Sequence, residues 1–214
     1  LKKTKYSRKI RTQKLFFASL LISIWIFIQY IASLSGLYNN LELPPRIPLF
    51  MILPIFVFAF FFLRRNRKSN VLRAVPKHVL IGYQSFRAFI EVLFYFTFLE
   101  GILPIQVTFE GVNYDVFIGV SAVIMAILTY QNKVSKKVLI LWNYIGIGVV
   151  AFAAFTFISS FYFPSLWGQK EISQEFNQFP FLLLPAFFLP SAIFVHVLSI
   201  LQLKNNKVSL TNAS

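Results

Sequence analysis

The sequence contains no cysteine and little charge for its length. Without cysteine, a disulfide framework, a thiolate nucleophile and a Cys-ligated metal site are all excluded. Only 13% of the 214 residues are charged, whereas 57% are hydrophobic and 27 are Phe. A chain of this composition cannot bury its apolar surface in one water-soluble core, and it therefore indicates an integral membrane protein.

Six apolar stretches are long enough, or nearly so, to cross a bilayer as helices. A hydrocarbon core of about 30 Å needs roughly 20 helical residues. We predict an all-α fold, a polytopic bundle of about six transmembrane helices within residues 15–203, in which the fourth helix is the shortest. The predicted spans are residues 15–37, 47–63, 79–99, 115–130, 138–163 and 181–203.

The distribution of charge predicts the orientation of this bundle. Lys and Arg in short loops mark the cytoplasmic side of a membrane. Eighteen of the 21 basic residues fall in the segment 1–14, in alternate loops and in the tail from 204 to 214, whereas the opposite loops hold six of the seven acidic residues. Both termini are therefore predicted to be cytoplasmic, as a basic segment and a tail.

The net charge of +14 also predicts a partner. Because the basic runs flank apolar stretches, we expect them to meet the anionic lipid headgroups at the cytoplasmic face of the lipid bilayer, and we expect no nucleic acid. A cleaved signal peptide is the alternative for the first span and would leave five spans. Its apolar run is longer than the apolar core of a usual signal peptide, about 7 to 15 residues, which favours a retained helix.

Ionisable residues inside a span are candidates for function, because a charge in hydrocarbon is costly. In the third span, Gln84, Arg87 and Glu91 share one helical face, and Arg87 is expected to pair with Glu91 one turn away. Asn143 of the fifth span and His196 of the sixth lie at a similar depth. These five residues are predicted to form an intramembrane polar cluster enclosed by the third, fifth and sixth helices.

Two interpretations of the polar cluster stay open. The first is a neutralised Arg87 and Glu91 pair that, with Gln84 and Asn143, bonds helices to one another. The second is a site for a small solute or a proton, in which Arg87 clamps an anion and Glu91 titrates. His196 alone more often has a packing role than a metal or switching role.

An outer-loop acidic group is formed by Glu100, Glu110, Asn113 and Asp115. Such oxygens suit calcium or magnesium, but helix capping and negative charge on the outer side explain them without an ion, so we expect no metal. We also expect no cofactor, since haem would need the only other histidine, which lies at the membrane surface.

Two features of the helices predict their surroundings. Gly119, Ala122 and Ala126 form a stripe of small residues on the fourth span, which favours close helix packing. Trp142, with other aromatic residues near span ends, is expected at a membrane interface.

The central third of the chain contains four motifs: Gln84-x-x-Arg87-x-x-x-Glu91, Gly101-x-x-Pro104, Thr108-Phe109-Glu110-Gly111-x-Asn113-Tyr114-Asp115 and Trp142-Asn143. With these motifs the chain resembles a group of bacterial multi-pass membrane proteins without an established function. The resemblance implies a location in the bacterial cytoplasmic membrane and carries no activity.

Three function classes are thus considered from the sequence. The first is transport or sensing of a small solute or proton through the polar cluster. The second is a structural or accessory membrane subunit. The third is an intramembrane enzyme on a lipid or peptide, which is less favoured because the chain has no P-loop and no HExxH, and nothing brings Glu91 and His196 to catalytic spacing.

Overall fold

The computed structural model describes residues 8–66, 75–168 and 173–205, and this part of the chain is helical, without a strand. The prediction of an all-α fold is confirmed. Residues 1–7 of the predicted basic segment and 206–214 of the tail lie outside the described residues. The α-helices are α1 (Arg8–Leu34), α2 (Leu53–Asn66), α3 (Lys77–Tyr83), α4 (Phe86–Leu99), α5 (Asp115–Tyr130), α6 (Lys136–Tyr162) and α7 (Leu189–Asn205). π-Helical turns precede α2 at Pro48–Ile52 and α7 at Leu184–Phe188.

Five of the helical stretches are long and apolar enough to cross a membrane, and each lies within a few residues of a predicted span. α5 begins and ends where the fourth span was predicted, but its 16 residues rise only about 24 Å. The five long stretches are Thr12–Leu34, Pro48–Asn66, Lys77–Leu99, Lys136–Tyr162 and Leu184–Lys204.

α3 and α4 are two parts of one apolar helix whose middle is wound more tightly. The amides of Gln84, Ser85, Arg87 and Ala88 each donate to the carbonyl three residues earlier, which is the 3₁₀ pattern. In such a turn, side chains three residues apart are eclipsed, so Gln84 and Arg87 fall in one line. Glu91 follows one α-helical turn later. All three side chains face the protein interior, with exposures of 0%, 2% and 1%.

α4 ends in a glycine cap. Gly101 has a φ of 75°. Its amide donates to the carbonyl of Phe98 at 2.9 Å, and the amide of Ile102 donates to the carbonyl of Thr97 at 3.1 Å. This pair of bonds is the Schellman motif, in which a residue in the left-handed region satisfies the last carbonyls of the helix. The chain therefore turns back at once toward α5.

α5 packs antiparallel along α3 and α4, and small residues make the close approach possible. A Cβ built on Gly119 would lie closer than 3.0 Å to the backbone of Ala88 in α4. Ala122, one turn further, is fully buried. At the far end of α5 the ring of Tyr130 meets the ring of His78 in α3, with centroids 5.2 Å apart. The predicted packing role of the small-residue stripe is confirmed.

α1 is exposed along most of its length and attaches to the other helices through a few hydrogen bonds. Pro190 in α7 has no backbone N–H, so it cannot donate the usual helical hydrogen bond to the carbonyl of Ala186, four residues earlier. The indole of Trp25 in α1 donates to that carbonyl at 3.0 Å. Gln29 donates in the same way, at 3.4 Å, to the carbonyl of Phe50, four residues before a proline of α2. Two carbonyls that lack the usual helical donor thus hold α1.

The segment after α1 continues this attachment. Tyr38 is buried and its hydroxyl donates to Gln29. Burial raises the pKa of Tyr38 to about 12, so the hydroxyl keeps its hydrogen at neutral pH. Asn177, in the segment before α7, donates to the carbonyl of Tyr38 at 3.2 Å and accepts at its own carbonyl from Ser33 at 2.8 Å.

Candidate functional site

A buried ion pair between α4 and α5 lies at the centre of the candidate site. Arg87 Nε donates to Asp115 Oδ2 at 2.8 Å, and Arg87 Nη2 donates to Asp115 Oδ1. The two side chains are 2% and 14% exposed. Because a guanidinium presents its N–H groups as a planar fork, this two-point contact fixes the orientation of both groups.

The partner of Arg87 differs from the predicted one, Glu91. In the described part of the chain the ion pair of Arg87 is with Asp115, which begins the facing helix. A carboxylate on an opposite helix can meet the guanidinium fork end-on. A residue one turn along the same helix makes a poorer partner, especially when the base precedes the acid. The expected anion clamp is therefore occupied by a carboxylate of the chain itself.

His196 of α7 extends the network from Arg87 to α6. Arg87 Nη1 lies 3.1 Å from His196 Nε2, and His196 Nδ1 lies 3.0 Å from Asn143 Oδ1. A guanidinium can only donate, so Nε2 accepts and Nδ1 carries the ring hydrogen that it donates to Asn143. Asn143 in turn donates to the carbonyl of Leu139 at 2.7 Å. The structure thus brings three predicted cluster residues together in one directed chain of hydrogen bonds.

The other two predicted cluster residues lie on the same face but bond elsewhere. Gln84 Nε2 donates to the carbonyl of Ala192 in α7 at 3.0 Å. Glu91 Oε1 accepts from Asn113 Nδ2 at 2.6 Å. Gln84 Oε1 and Glu91 Oε2 are buried without a hydrogen-bond partner in the described residues. Glu91 and His196 are not joined, and both ring nitrogens of His196 are engaged, so the arrangement does not form a catalytic pair.

Two residues that the sequence analysis did not assign to the site shape the position of His196. A Cβ on Gly146 of α6 would lie closer than 3.0 Å to His196 Cε1 and Nε2, so the ring fits only beside a glycine. Trp142, expected at an interface, is instead 9% exposed, with its ring centroid 5.4 Å from that of His196. Its indole donates to Ser121 of α5 at 3.0 Å. The spacing of Trp142, Asn143 and Gly146 along one helix was the available signal.

The four residues of the predicted outer-loop acidic group do not lie in one common environment in the structure. Glu100 and Glu110 are exposed, whereas Asn113 is 1% exposed and Asp115 bonds to Arg87. Asn113 Oδ1 accepts from the amide of Asp115 at 3.2 Å and so satisfies one N–H at the start of α5, although the N-cap position itself is occupied by Tyr114. Within residues 8–66, 75–168 and 173–205, no three His, Asp or Glu residues lie close enough to hold a metal ion.

A cavity of about 120 Å³ borders the ion pair. It lies between α4, α6 and the two π-helical turns, and the described residues that line it are mostly apolar. Arg87 and Asp115 are its charged members, whereas Glu91 does not border it. Apolar walls include Phe94, Ala153 and Phe157.

Over the described residues, fold and site together define a class: an all-helical protein with five helical stretches of membrane-crossing length and a polar network among α4, α5, α6 and α7. The chain belongs to the family described as a domain of unknown function (DUF8737), whose model matches residues 44–204. This match confirms the expectation of a family without an assigned activity. No curated protein and no solved structure matches the chain.

Proposed function

We propose that this protein is an integral membrane protein that binds a small molecule in the cavity beside Arg87, in order to sense or transport it. The observation that carries this proposal is that the ion pair of Arg87 and Asp115 borders a cavity whose other described walls are mostly apolar. Small-molecule sites are typically apolar cavities with a few placed polar groups. An ionisable pair at such a position is also the usual mark of a ligand path in membrane proteins.

A six-span topology with both termini in the cytoplasm belongs to the same proposal. α5 runs beside α3 and the first part of α4, from Tyr130 at His78 to Asp115 at Arg87, and Asn113, just before α5, contacts Glu91. An apolar helix that packs antiparallel against a helix of spanning length supports a sixth crossing, despite its 16 residues. The charge distribution supports the orientation and a contact with anionic headgroups. The family resemblance supports the bacterial cytoplasmic membrane.

A second candidate is a structural or accessory subunit, and one observation favours it. The hydrogen bonds from Asp115 through Arg87 and His196 to Asn143 form an unbroken chain of side chains from four helices. Such a chain is what interhelical bonding requires. The two candidates differ in whether the cavity admits a small molecule from outside the protein.

Thiol labelling tests this difference, because the chain has no cysteine of its own. Ala153→Cys introduces one thiol into the cavity wall, and Ala122→Cys introduces one between packed helices away from it. In proteoliposomes we expect N-ethylmaleimide to alkylate the Ala153→Cys thiol much faster than the Ala122→Cys thiol. Equal, slow rates at both positions would contradict the binding function and favour the structural one.

A further inference from the structure

We propose that the cavity beside Arg87 binds an uncharged, largely apolar molecule that presents one hydrogen-bond-accepting oxygen, such as a ketone or ester carbonyl, to the guanidinium. This inference rests on the proposed function and names its ligand class. Three observations carry it: the neutral ion pair, the N–H groups that Arg87 retains, and the apolar walls of the cavity.

The charge at the wall of the cavity is already balanced within the chain. Arg87 and Asp115 neutralise each other through two hydrogen bonds, and the hydrogen-bond pattern makes His196 a neutral imidazole. Among the described residues that line the cavity, no further charged group is present. An anionic or cationic ligand would therefore leave one uncompensated charge in apolar surroundings, which is strongly disfavoured.

Arg87 nevertheless retains donors. A guanidinium has five N–H groups. One on Nε and one on Nη2 bond to Asp115, and one on Nη1 bonds to His196. One N–H on each terminal nitrogen is left without a partner in the described residues. A carbonyl oxygen can accept from such donors without bringing a charge, whereas a pure hydrocarbon would leave them unsatisfied.

The volume of the cavity indicates the bulk of the part of the ligand that it holds. Its volume of about 120 Å³ is close to that of apolar cavities, about 150 Å³, that hold one benzene ring. The walls supplied by Phe94, Phe157 and Ala153 match a single ring or a short chain. An ester carbonyl of a membrane lipid and the carbonyl of a free small molecule share this chemistry.

Protection of the Ala153→Cys thiol from N-ethylmaleimide tests the ligand class. Four probes of similar bulk are compared in proteoliposomes: cyclohexanone, methylcyclohexane, cyclopentanecarboxylate and cyclohexylammonium. By mass action, cyclohexanone at about ten times its half-saturating concentration is expected to slow alkylation about tenfold. The other three probes are expected to protect less. Stronger protection by the carboxylate or the ammonium, or equal protection by methylcyclohexane, would overturn the ligand class.

The role of Arg87 is tested in the double variant Arg87→Met with Asp115→Leu, which removes the donors and both charges together. We expect it to keep fast alkylation at the Ala153→Cys thiol and to lose the protection by cyclohexanone. Protection that persists there would overturn the assignment of Arg87 as the donor.

Vesicles of diester and diether lipids separate the two sources of the carbonyl. Slower alkylation in diester vesicles without any probe supports a lipid as occupant, and equal rates support a free molecule. In diether vesicles no ester carbonyl can protect the Ala153→Cys thiol. If its alkylation there is still as slow as that of the Ala122→Cys thiol, the proposed function itself is refuted. If the Ala153→Cys thiol is alkylated fast in diether vesicles but cyclohexanone does not protect it best, only the ligand class is refuted.

Discussion

At the scale of single residues, one guanidinium on α4 holds two further helices. Arg87 contacts α5 through Asp115 and α7 through His196. Removing one member of a buried pair leaves a charge without compensation, whereas removing both members leaves none. A single substitution in the pair should therefore lower the stability of the protein, and the double substitution should restore most of it.

The first prediction concerns Asp115→Leu. We expect it to destabilise the protein by about 3 kcal/mol, because Arg87 remains buried and unpaired. Adding Arg87→Met in the same chain should recover most of this loss. Thermal unfolding in detergent measures both, with Glu110→Gln as the control at an exposed acid. A double variant that is no more stable than Asp115→Leu alone would show that the pair is not the cause.

The second prediction concerns the glycine beside His196. Gly146→Ala should cost about 1–3 kcal/mol, because the new methyl group overlaps the imidazole and forces the ring or α6 to shift. Gly148→Ala is the matched control, since nothing lies within 4 Å of a Cβ there. The measurement is the unfolding temperature of each variant. Equal temperatures would mean that the ring moves without cost.

The sequence was sufficient to predict that Gln84, Arg87 and Glu91 share a face, because their spacing along one helix decides it. It was not sufficient to predict the partner of Arg87. That contact depends on how α5 lies against α4, and a helix-start acid such as Asp115 is also explained by capping. Pairing across helices is a tertiary property, whereas helical periodicity is local.

At the scale of helices, the close contact between α4 and α5 depends on Gly119, which has no side chain. The backbone of Ala88 occupies the space that a Cβ of Gly119 would need. The bounds of α5 were predicted from the sequence, and the small residues indicated close packing. The residue that they meet on α4 was not predictable, since any helix of the bundle could have been the neighbour.

The third prediction follows from this contact. Gly119→Ala should separate α5 from α4 and lower the stability by about 1–3 kcal/mol, because backbone atoms cannot move aside as a flexible side chain can. It should also disturb the Arg87 contact with Asp115, one turn away. Unfolding temperatures of Gly119→Ala and of Gly148→Ala provide the comparison. An unchanged Gly119→Ala protein would contradict the close approach.

At the scale of the whole molecule, the number of crossings determines which loops share a side. The described residues contain five stretches of sufficient length and one shorter helix that runs beside a long one. If α5 crosses, the loops before and after it lie on opposite sides of the membrane. If it does not, they lie on the same side.

The fourth prediction uses three single-cysteine variants at exposed positions, Glu110→Cys, Gln131→Cys and Ser165→Cys. In intact cells a membrane-impermeant thiol reagent should label the first and third, and it should label Gln131→Cys only after permeabilisation. Labelling of Glu110→Cys and Gln131→Cys from the same side would refute the sixth span. Labelling of Gln131→Cys alone in intact cells would reverse the orientation.

Two of the hydrogen bonds that hold α1 also impose an order on assembly. Trp25 bonds to a carbonyl 161 residues later in the chain, and Ser33 to one 144 residues later. Neither bond can form until the segment just before α7 has been synthesised, whereas the bond of Gln29 to the carbonyl of Phe50, 21 residues later, can form much earlier. The docking of α1 therefore proceeds in two stages, and its contacts with the segment before α7 are completed last.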